Sequence, residues 1–374
     1  MWKWLPWCIS LLVILEACSS TNQPNPTASI PTGGMEADVR FKWEKAVAEA
    51  KREGRVVISG PTREVWRTVL TSFEQEFPGI KVEYTGVNSR DFWPRVFRER
   101  ELGQYLWDLR IGGPEPQVYE AKNRGVLDPV RPLLLLPEVA DEKIWFGGTE
   151  KMFFDRDKKY VLGFVNYITF VAYVNRDVIP ETELRSVKDL TQPRWKGKMV
   201  IQDPRGGAGL TAMGSLLEIY GEEGLKDFLK NQTLVQANDQ RQQAEWLIRG
   251  RYPIAIGITP DAFLVFQDQG LKLNIQPIED SGIAISTGTG GIQLFNRAAN
   301  PNAAQVFINW LLTKEVQTRL SAVTRQNSRR LDVPIAHPET APDPSRIASY
   351  TISQAEEILP LRQRALEVTS EFLH

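Results

Sequence analysis

Residues Arg194–Leu217 read RWKGKMVIQDPRGGAGLTAMGSLL. Met199 to Gln202 is a short apolar run, the pattern of a buried strand. Asp203-Pro204-Arg205-Gly206-Gly207-Ala208-Gly209 carries too much glycine and proline to continue a strand or a helix. From Leu210 the apolar residues recur at Met213, Leu216, Leu217 and Tyr220, which is helical spacing. A glycine-rich turn from strand to helix leaves the first backbone N–H groups of the helix uncapped, and such groups attract anions. The stretch predicts an anion cradle in one wall of a ligand cleft, with Arg205, Gly206 and Gly207 as candidate residues. The competing reading is that the glycines only let a tight turn pack.

A single hydrophobic core rarely serves more than about 250–300 residues, so the 374 residues of this chain point to two lobes. The net charge is −1 and no basic stripe interleaves with aromatics, which argues against nucleic acid as a partner. Only two histidines occur, His337 and His374, and both lie near the C-terminus.

The first residues read as an address. Lys3 gives a thin positive start and Ile9 to Leu15 a short apolar run, too short to span a bilayer. The run ends in Leu15-Glu16-Ala17-Cys18, which resembles the lipobox of bacterial lipoproteins, with Cys18 as the lipidated residue. An ordinary signal peptide with an incidental cysteine is the alternative. Cys8 falls within the removed part, so Cys18 has no partner for a disulfide or a metal site. Ser19 to Gly34 is rich in Ser, Thr, Asn, Gln and Pro, the composition of a flexible tether. The expectation is an extracytoplasmic protein held to a bacterial membrane by a lipid anchor.

Along the chain, Val39, Trp43, Val47 and Ala50 form one helix face, closed by Gly54. Val56-Val57-Ile58 is a strand, Val65 to Phe77 a helix, and Ile80 to Tyr84 a second strand. Strand, helix and strand in this order imply a parallel sheet whose ligands sit beyond the strand C-termini. Gly60 to Arg63 and Gly112-Gly113-Pro114, after the strand Leu109–Ile111, are therefore candidate site loops. Ser89 to Gly103 reads as a helix provided that Pro94 lies in its first turn. Tyr160 to Val174 is β-rich and too long for one flat strand, so it is read as leaving one lobe for the next. Helical spacing returns at Glu223–Lys230 and Gln242–Ile248, and Ile254 to Ile258 is a strand running into Thr259-Pro260-Asp261. Ile283-Ala284-Ile285, followed by Ser286 to Gly291, reads as a return crossing. Asn300-Pro301 opens a helix, with asparagine as cap and proline first.

Three phrases carry a family resemblance: EQEFPGIKVEY at 74–84, DLTQPRWKGK at 189–198 and NPNAAQVFINWLL at 300–312. In this order, across nearly all of the mature chain, they resemble the extracellular solute-binding proteins of ABC transporters in their type II periplasmic-binding form, most closely the ferric-binding branch. The resemblance implies an α/β fold of two lobes, a hinge of crossing strands and a ligand cleft between the lobes. After the signal segment at 1–18 and the tether at 19–35, it implies a first lobe from 36–168 and 286–330 and a second lobe from 169–285 with C-terminal helices at 331–374. Ferric-binding relatives carry two adjacent tyrosines at the positions that fall here on Pro260 and Asp261, and this chain has no Tyr-Tyr pair. Tyrosinate suits ferric iron, so no metal and no cofactor is expected. The anion-binding loop of those relatives corresponds to Asp203–Gly209.

Gly207-Ala208-Gly209-Leu210-Thr211-Ala212 fits the dinucleotide pattern, but the acidic residues about twenty positions on, Glu222 and Glu223, sit on helices, where none would meet a ribose. No Gly-Lys-Ser/Thr follows to make a P-loop. Arg205 and Arg241 adjoin predicted site loops and suit a carboxylate or phosphate, although either could be a solvated surface arginine. Asp261 is placed to accept from an ammonium or hydroxyl, or to cap the next helix. Tyr167 and Thr62 end elements that face the cleft, and Thr287 offers a hydroxyl from the return crossing. Trp43, Trp66 and Trp310 read as core. No catalytic group is proposed, since no histidine is placed for a triad. The function expected is a monomeric receptor that captures a small anionic or zwitterionic solute by hinge closure and delivers it to an ABC permease. The alternatives are a cationic solute such as a polyamine, ferric iron held without tyrosines, or an extracytoplasmic enzyme or sensor.

Overall fold

The structure, a computed structural model, describes residues 35–373 apart from Gly206, Asn238 and residues 281–283, and leaves the side chains of Thr149, Asp268 and Ser349 undescribed. The leader, Cys18, most of the tether and Gly206 thus lie outside the described residues.

The chain builds two sheets, each with helices on both faces, and a third sheet between them. The first helix, α1 (Ala37–Glu53), buries Trp43, Ala46 and Ala50 and ends at Gly54, whose left-handed φ of 75° suits glycine. Strand β1 (Arg55–Gly60) feeds α2 (Glu64–Thr71), and β2 (Lys81–Gly86) returns parallel to β1 in full register from Arg55↔Lys81 to Gly60↔Gly86. Helix α3 (Ser89–Glu101) leads to β3 (Leu109–Ile111), and α4 (Pro116–Asn123) to β4 (Leu127–Asp128).

Pro94 is the sixth residue of α3, in its second turn rather than its first. A proline there gives up one intrahelical hydrogen bond. Burial of Phe92, Trp93 and Val96 on the same helix offsets that loss, because all three pack into one aromatic cluster with Trp107 and Phe295.

The β-rich run after residue 160 divides into three strands. β5 (Leu162–Gly163) belongs to the first sheet, β6 (Val165–Thr169) to the middle one and β7 (Ala172–Asn175) to the second. β8 (Met199–Gln202) then enters the long helix α5 (Gly207–Gln232), which is broken at Gly221 (φ 70°, ψ 174°), where the sequence spacing had separated two helices. β9 (Val235–Ala237), α6 (Gln240–Ile248), β10 (Ile254–Ile256), α7 (Pro260–Asp268) and β11 (Ile275–Pro277) complete the second sheet, ordered β11-β7-β10-β8-β9. Its core centres on Trp195, Met213, Leu216 and Phe228.

The return crossing is β12 (Ala284–Ser286), antiparallel to β6, and β13 (Gly291–Phe295) rejoins the first sheet, giving the order β2-β1-β3-β13-β4 with β5 alongside β13. Helix α8 (Pro301–Leu311) starts with Asn300 in the cap position, but the Asn300 side chain does not cap it. Instead Asn300 Nδ2 donates to Asp108 Oδ2 at 2.8 Å, and the helix start is taken by a distant carboxylate. Glu53 accepts from the Ala303 N–H at 2.7 Å and from the Asn302 N–H at 3.1 Å.

After α9 (Lys314–Thr324), β14 (Asn327–Ser328) and β15 (Thr351–Ile352) complete the middle sheet, ordered β14-β6-β12-β15. Near the C-terminus, α10 (Leu359–Ser370) packs on α5, burying Ala365 and Val368 in the second core, with Phe372 and Leu373 against the same core. The stretch before it holds short turns and leans on the first lobe, where Tyr119 donates to the Gln354 carbonyl and Lys122 pairs with Glu356. Three strands, β6, β12 and β15, thus run side by side between the lobes. Among the described residues no helix is long and apolar enough to cross a membrane.

Candidate functional site

A cavity of about 390 Å³ opens between the two lobes. Six of its lining residues stand at the starts of six helices: Arg63, Asn88, Glu115 and Thr259 in the cap positions of α2, α3, α4 and α7, and Gly207 and Gln240 as the first residues of α5 and α6. This follows from the parallel strands, which all deliver their helices at the same sheet edge. Each helix start carries roughly half a positive charge, so the cavity gathers positive potential from both lobes. The floor is the hinge, where β6 gives Tyr167 and Thr169 and β12 gives Ser286; Trp66 and Phe170 supply an apolar wall.

Four residues expected from the sequence line this cavity: Thr62, Tyr167, Gly207 and Asp261. Asp261 lies in the first turn of α7 behind the cap position, which Thr259 holds.

Five others are placed elsewhere. Arg205 folds back on Asp203, giving Nη2 to Oδ2 at 2.6 Å, and its side chain is 73% exposed. Arg241 points along α6 to Glu245 and is 81% exposed. Neither lines the cavity, because each has a carboxylate two or four residues away on its own segment. Gly60 sits where a Cβ would lie 2.5 Å from the Tyr84 hydroxyl, and Gly113 where a Cβ would meet the Gly288 carbonyl. Both are close-approach positions beside the site. Thr287 is fully buried; its hydroxyl donates to the Gly290 carbonyl at 2.9 Å, and its backbone N–H to Gln354 Oε1 at 2.9 Å. Thr287 shapes the hinge from behind.

The glycine-rich turn is held by close packing. A Cβ on Gly209 would come 2.5 Å from the Gln202 and Asp203 carbonyls, and Gly257 (φ 68°) lets β10 approach the Ala208 carbonyl. Gly207 has no such crowding. In this turn the packing reading and the cradle reading thus fall on different glycines.

The two acids of the cavity, Asp261 and Glu115, are each offset by arginines. Arg63 Nη1 donates to Asp261 Oδ2 at 2.8 Å across the cleft. Glu115 is matched electrostatically by two buried guanidiniums. Arg110 is held by Ser59 Oγ at 3.3 Å and Ser89 Oγ at 2.8 Å, and burial pulls it down to about 10. Arg362 of α10 is also lowered by burial, with Glu115 acting against the shift. Burial pushes the Tyr167 phenol well above its ordinary value, with Asp261 adding to the rise. Among the described residues no cluster of three or more His, Cys, Asp or Glu side chains is arranged to hold a metal ion.

Sequence reasoning missed the amides. Gln202 and Gln240 line the second-lobe wall, bonded to each other, while Gln326 and Gln354 line the hinge side. The Gln326 Oε1 atom is buried with no partner. Isolated glutamines carry no motif, and only the fold brings these four together. Trp66, read as core, is indeed buried at 1% exposure, yet it also forms cavity wall.

Comparison with known proteins gives a family and a fold. A family model described as bacterial extracellular solute-binding protein matches residues 68–334. The chain is similar to an uncharacterized protein of Haemophilus influenzae, 25% identical over 277 residues, which cover 72% of this chain and 75% of that one. Among solved structures it resembles iron-bound HitA from Pseudomonas aeruginosa, with a TM-score of 0.67 and 17% identity over 86% of this chain and 99% of that one. It also resembles AfuA from Actinobacillus pleuropneumoniae with exogenous fructose-6-phosphate bound, with a TM-score of 0.59 and 19% identity over 86% of this chain and 98% of that one. At these identities the likeness establishes architecture, and the architecture is the two-lobed type II periplasmic-binding-protein fold.

Proposed function

The chain belongs to the bacterial extracellular solute-binding protein family, and we propose that it is the receptor of an ABC importer for a small, hydroxylated organic anion or zwitterion. The observation that carries this is the convergence of six helix starts on one cavity. Backbone N–H groups and helix dipoles favour negative charge at such a place. The two acids of the cavity do not oppose an anion, since Arg63 covers Asp261 and Arg110 and Arg362 offset Glu115. The amides and hydroxyls of Gln202, Gln240, Gln326, Gln354, Thr62 and Ser286 suit a solute with several hydrogen-bonding groups.

The fructose-6-phosphate in AfuA is an organic anion of this class. HitA binds iron, but this chain has no adjacent pair of tyrosines to offer tyrosinate oxygens, which favours an organic anion over a bare ferric ion. Capture works by differential binding. Donors of both lobes contact the solute together only when the lobes are shut, so the solute favours the closed form. A permease then takes up the solute, with the receptor leashed outside the cytoplasm through Cys18. The family and the cavity both support a binder.

A thermal-shift screen of the chain from Met35 tests this against phosphorylated sugars, hydroxy acids, amino acids, polyamines and ferric citrate. Ligands that bind the folded form raise the melting temperature in proportion to the logarithm of their concentration above Kd. The reading expects shifts from hydroxylated anions. Shifts from polyamines alone would refute it.

A further inference from the structure

Opposite charges of the two lobes act on each other at three places, and one of these is a direct contact across the cleft. Arg63, capping α2 on the first lobe, gives a direct 2.8 Å contact to Asp261 in the first turn of α7 on the second lobe. Asp203, after β8 on the second lobe, lies below the ordinary carboxylate range, chiefly through its bonds to Arg205; Arg90 of α3 on the first lobe adds to this from further away. Glu115, capping α4 on the first lobe, acts on Arg362 of α10, whose Nε and Nη1 atoms are buried without a partner. The first lobe thus presents two arginines and a glutamate, and the second presents two aspartates and an arginine.

We propose that Arg63 and Asp261 form an electrostatic latch that draws the two lobes together before any solute is bound. The latch rests on the two-lobed clamp described above but not on the identity of the solute. Its effect is graded rather than absolute. The Arg63 and Asp261 side chains are 43% and 18% exposed, and a pair so open to water shifts an equilibrium by roughly 1.4- to 5-fold. The consequence is a receptor in which part of the closing work is done before the solute arrives, so the solute supplies a smaller shift. Because the contact is partly exposed, salt weakens it.

The test needs no ligand. The chain from Met35 contains every element of both lobes, and its radius of gyration is measured by small-angle X-ray scattering at about 20 mM and about 500 mM salt, a range over which screening becomes strong. Wild type is compared with Arg63→Glu, with Asp261→Arg and with the doubly exchanged protein; melting curves confirm that each is folded, and Arg63→Gln stands in where a reversal is not. The latch predicts that wild type is compact at low salt and expands at high salt. Each single reversal is expanded at both, and the exchanged pair returns to the compact form. If the single reversals stay as compact as wild type, or the exchange fails to restore compactness, the latch is wrong. The solute-receptor reading is untouched by that failure, since solute-induced melting shifts are read separately.

Discussion

Lys122 Nζ lies 2.6 Å from Glu356 Oε2, with the two side chains 8% and 9% exposed. The same oxygen accepts from the Arg156 N–H at 2.9 Å. Lys122 belongs to α4 in the first lobe, and three residues after Glu356 the chain starts α10, which packs on α5 of the second lobe. The C-terminal segment is therefore pinned to one lobe immediately before it docks on the other.

Removing one partner of a buried pair strands the other charge, at a cost of about 3–5 kcal/mol. Lys122 keeps a second partner in Asp157 at 3.0 Å, so Glu356→Gln should destabilise by the lower end of that range, about 3 kcal/mol. Urea unfolding of wild type and variant measures it. A change below about 1 kcal/mol, the size of an exposed pair, would show that the pin contributes little.

Glu53 closes the start of α8 from the end of α1. Its role is that of an N-cap supplied from another helix, and losing a cap costs about 1 kcal/mol. Glu53→Ala should lower stability by about that amount, and amide hydrogen exchange should quicken at Asn302 and Ala303 before the rest of α8. Unchanged exchange at those two amides would remove Glu53 from the role.

The clasp between α5 and α10 makes stability depend on acid. Glu222 accepts from Arg364 at 2.8 Å and 2.5 Å, and those bonds, with help from Lys226, lower its carboxyl from 4.5 to about 2. A carboxylate depressed in the folded state adds stability that is present above the unfolded value and is lost as pH falls through the folded one. The stability difference between wild type and Glu222→Gln should therefore be constant near neutrality, shrink below pH 4.5 and vanish near pH 2. Unfolding curves across that range decide it, and a difference that grows in acid would reverse the assignment.

Iron gives a contrasting test. The chain has no adjacent pair of tyrosines, so adding ferric citrate should produce no tyrosinate-to-iron absorption band in the visible. A band that disappears in Tyr167→Phe would place iron in the cavity after all.

The fold was legible where local patterns and topology agree. The strand-helix-strand around Val56 to Tyr84 was readable because β-branched runs, helical spacing and Pro78-Gly79 each mark a boundary. The run from 160 to 174 was readable as a crossing because no single strand of that length fits a small lobe. The arginines were not legible. Arg205 and Arg241 looked like cleft residues by sequence position, but each is captured by a carboxylate on its own segment. Sequence spacing cannot show that Arg63 meets Asp261, because 198 residues separate them. Pro94 and Asn300 show the same limit. Local rules put the proline in a first turn and the asparagine on its own helix, whereas packing around Trp93 and the buried Asp108 carboxylate decided both.

A small organic anion is expected to bind between the lobes, and titration calorimetry measures that binding. The best-stabilising solute from the screen is titrated into wild type and into Thr211→Trp, which fills the cavity from the second turn of α5. The account predicts one solute per wild-type chain, and a variant that melts as before yet binds at least about tenfold more weakly, a loss of about 1.4 kcal/mol. Equal binding by the filled variant would contradict it and place the solute elsewhere on the protein.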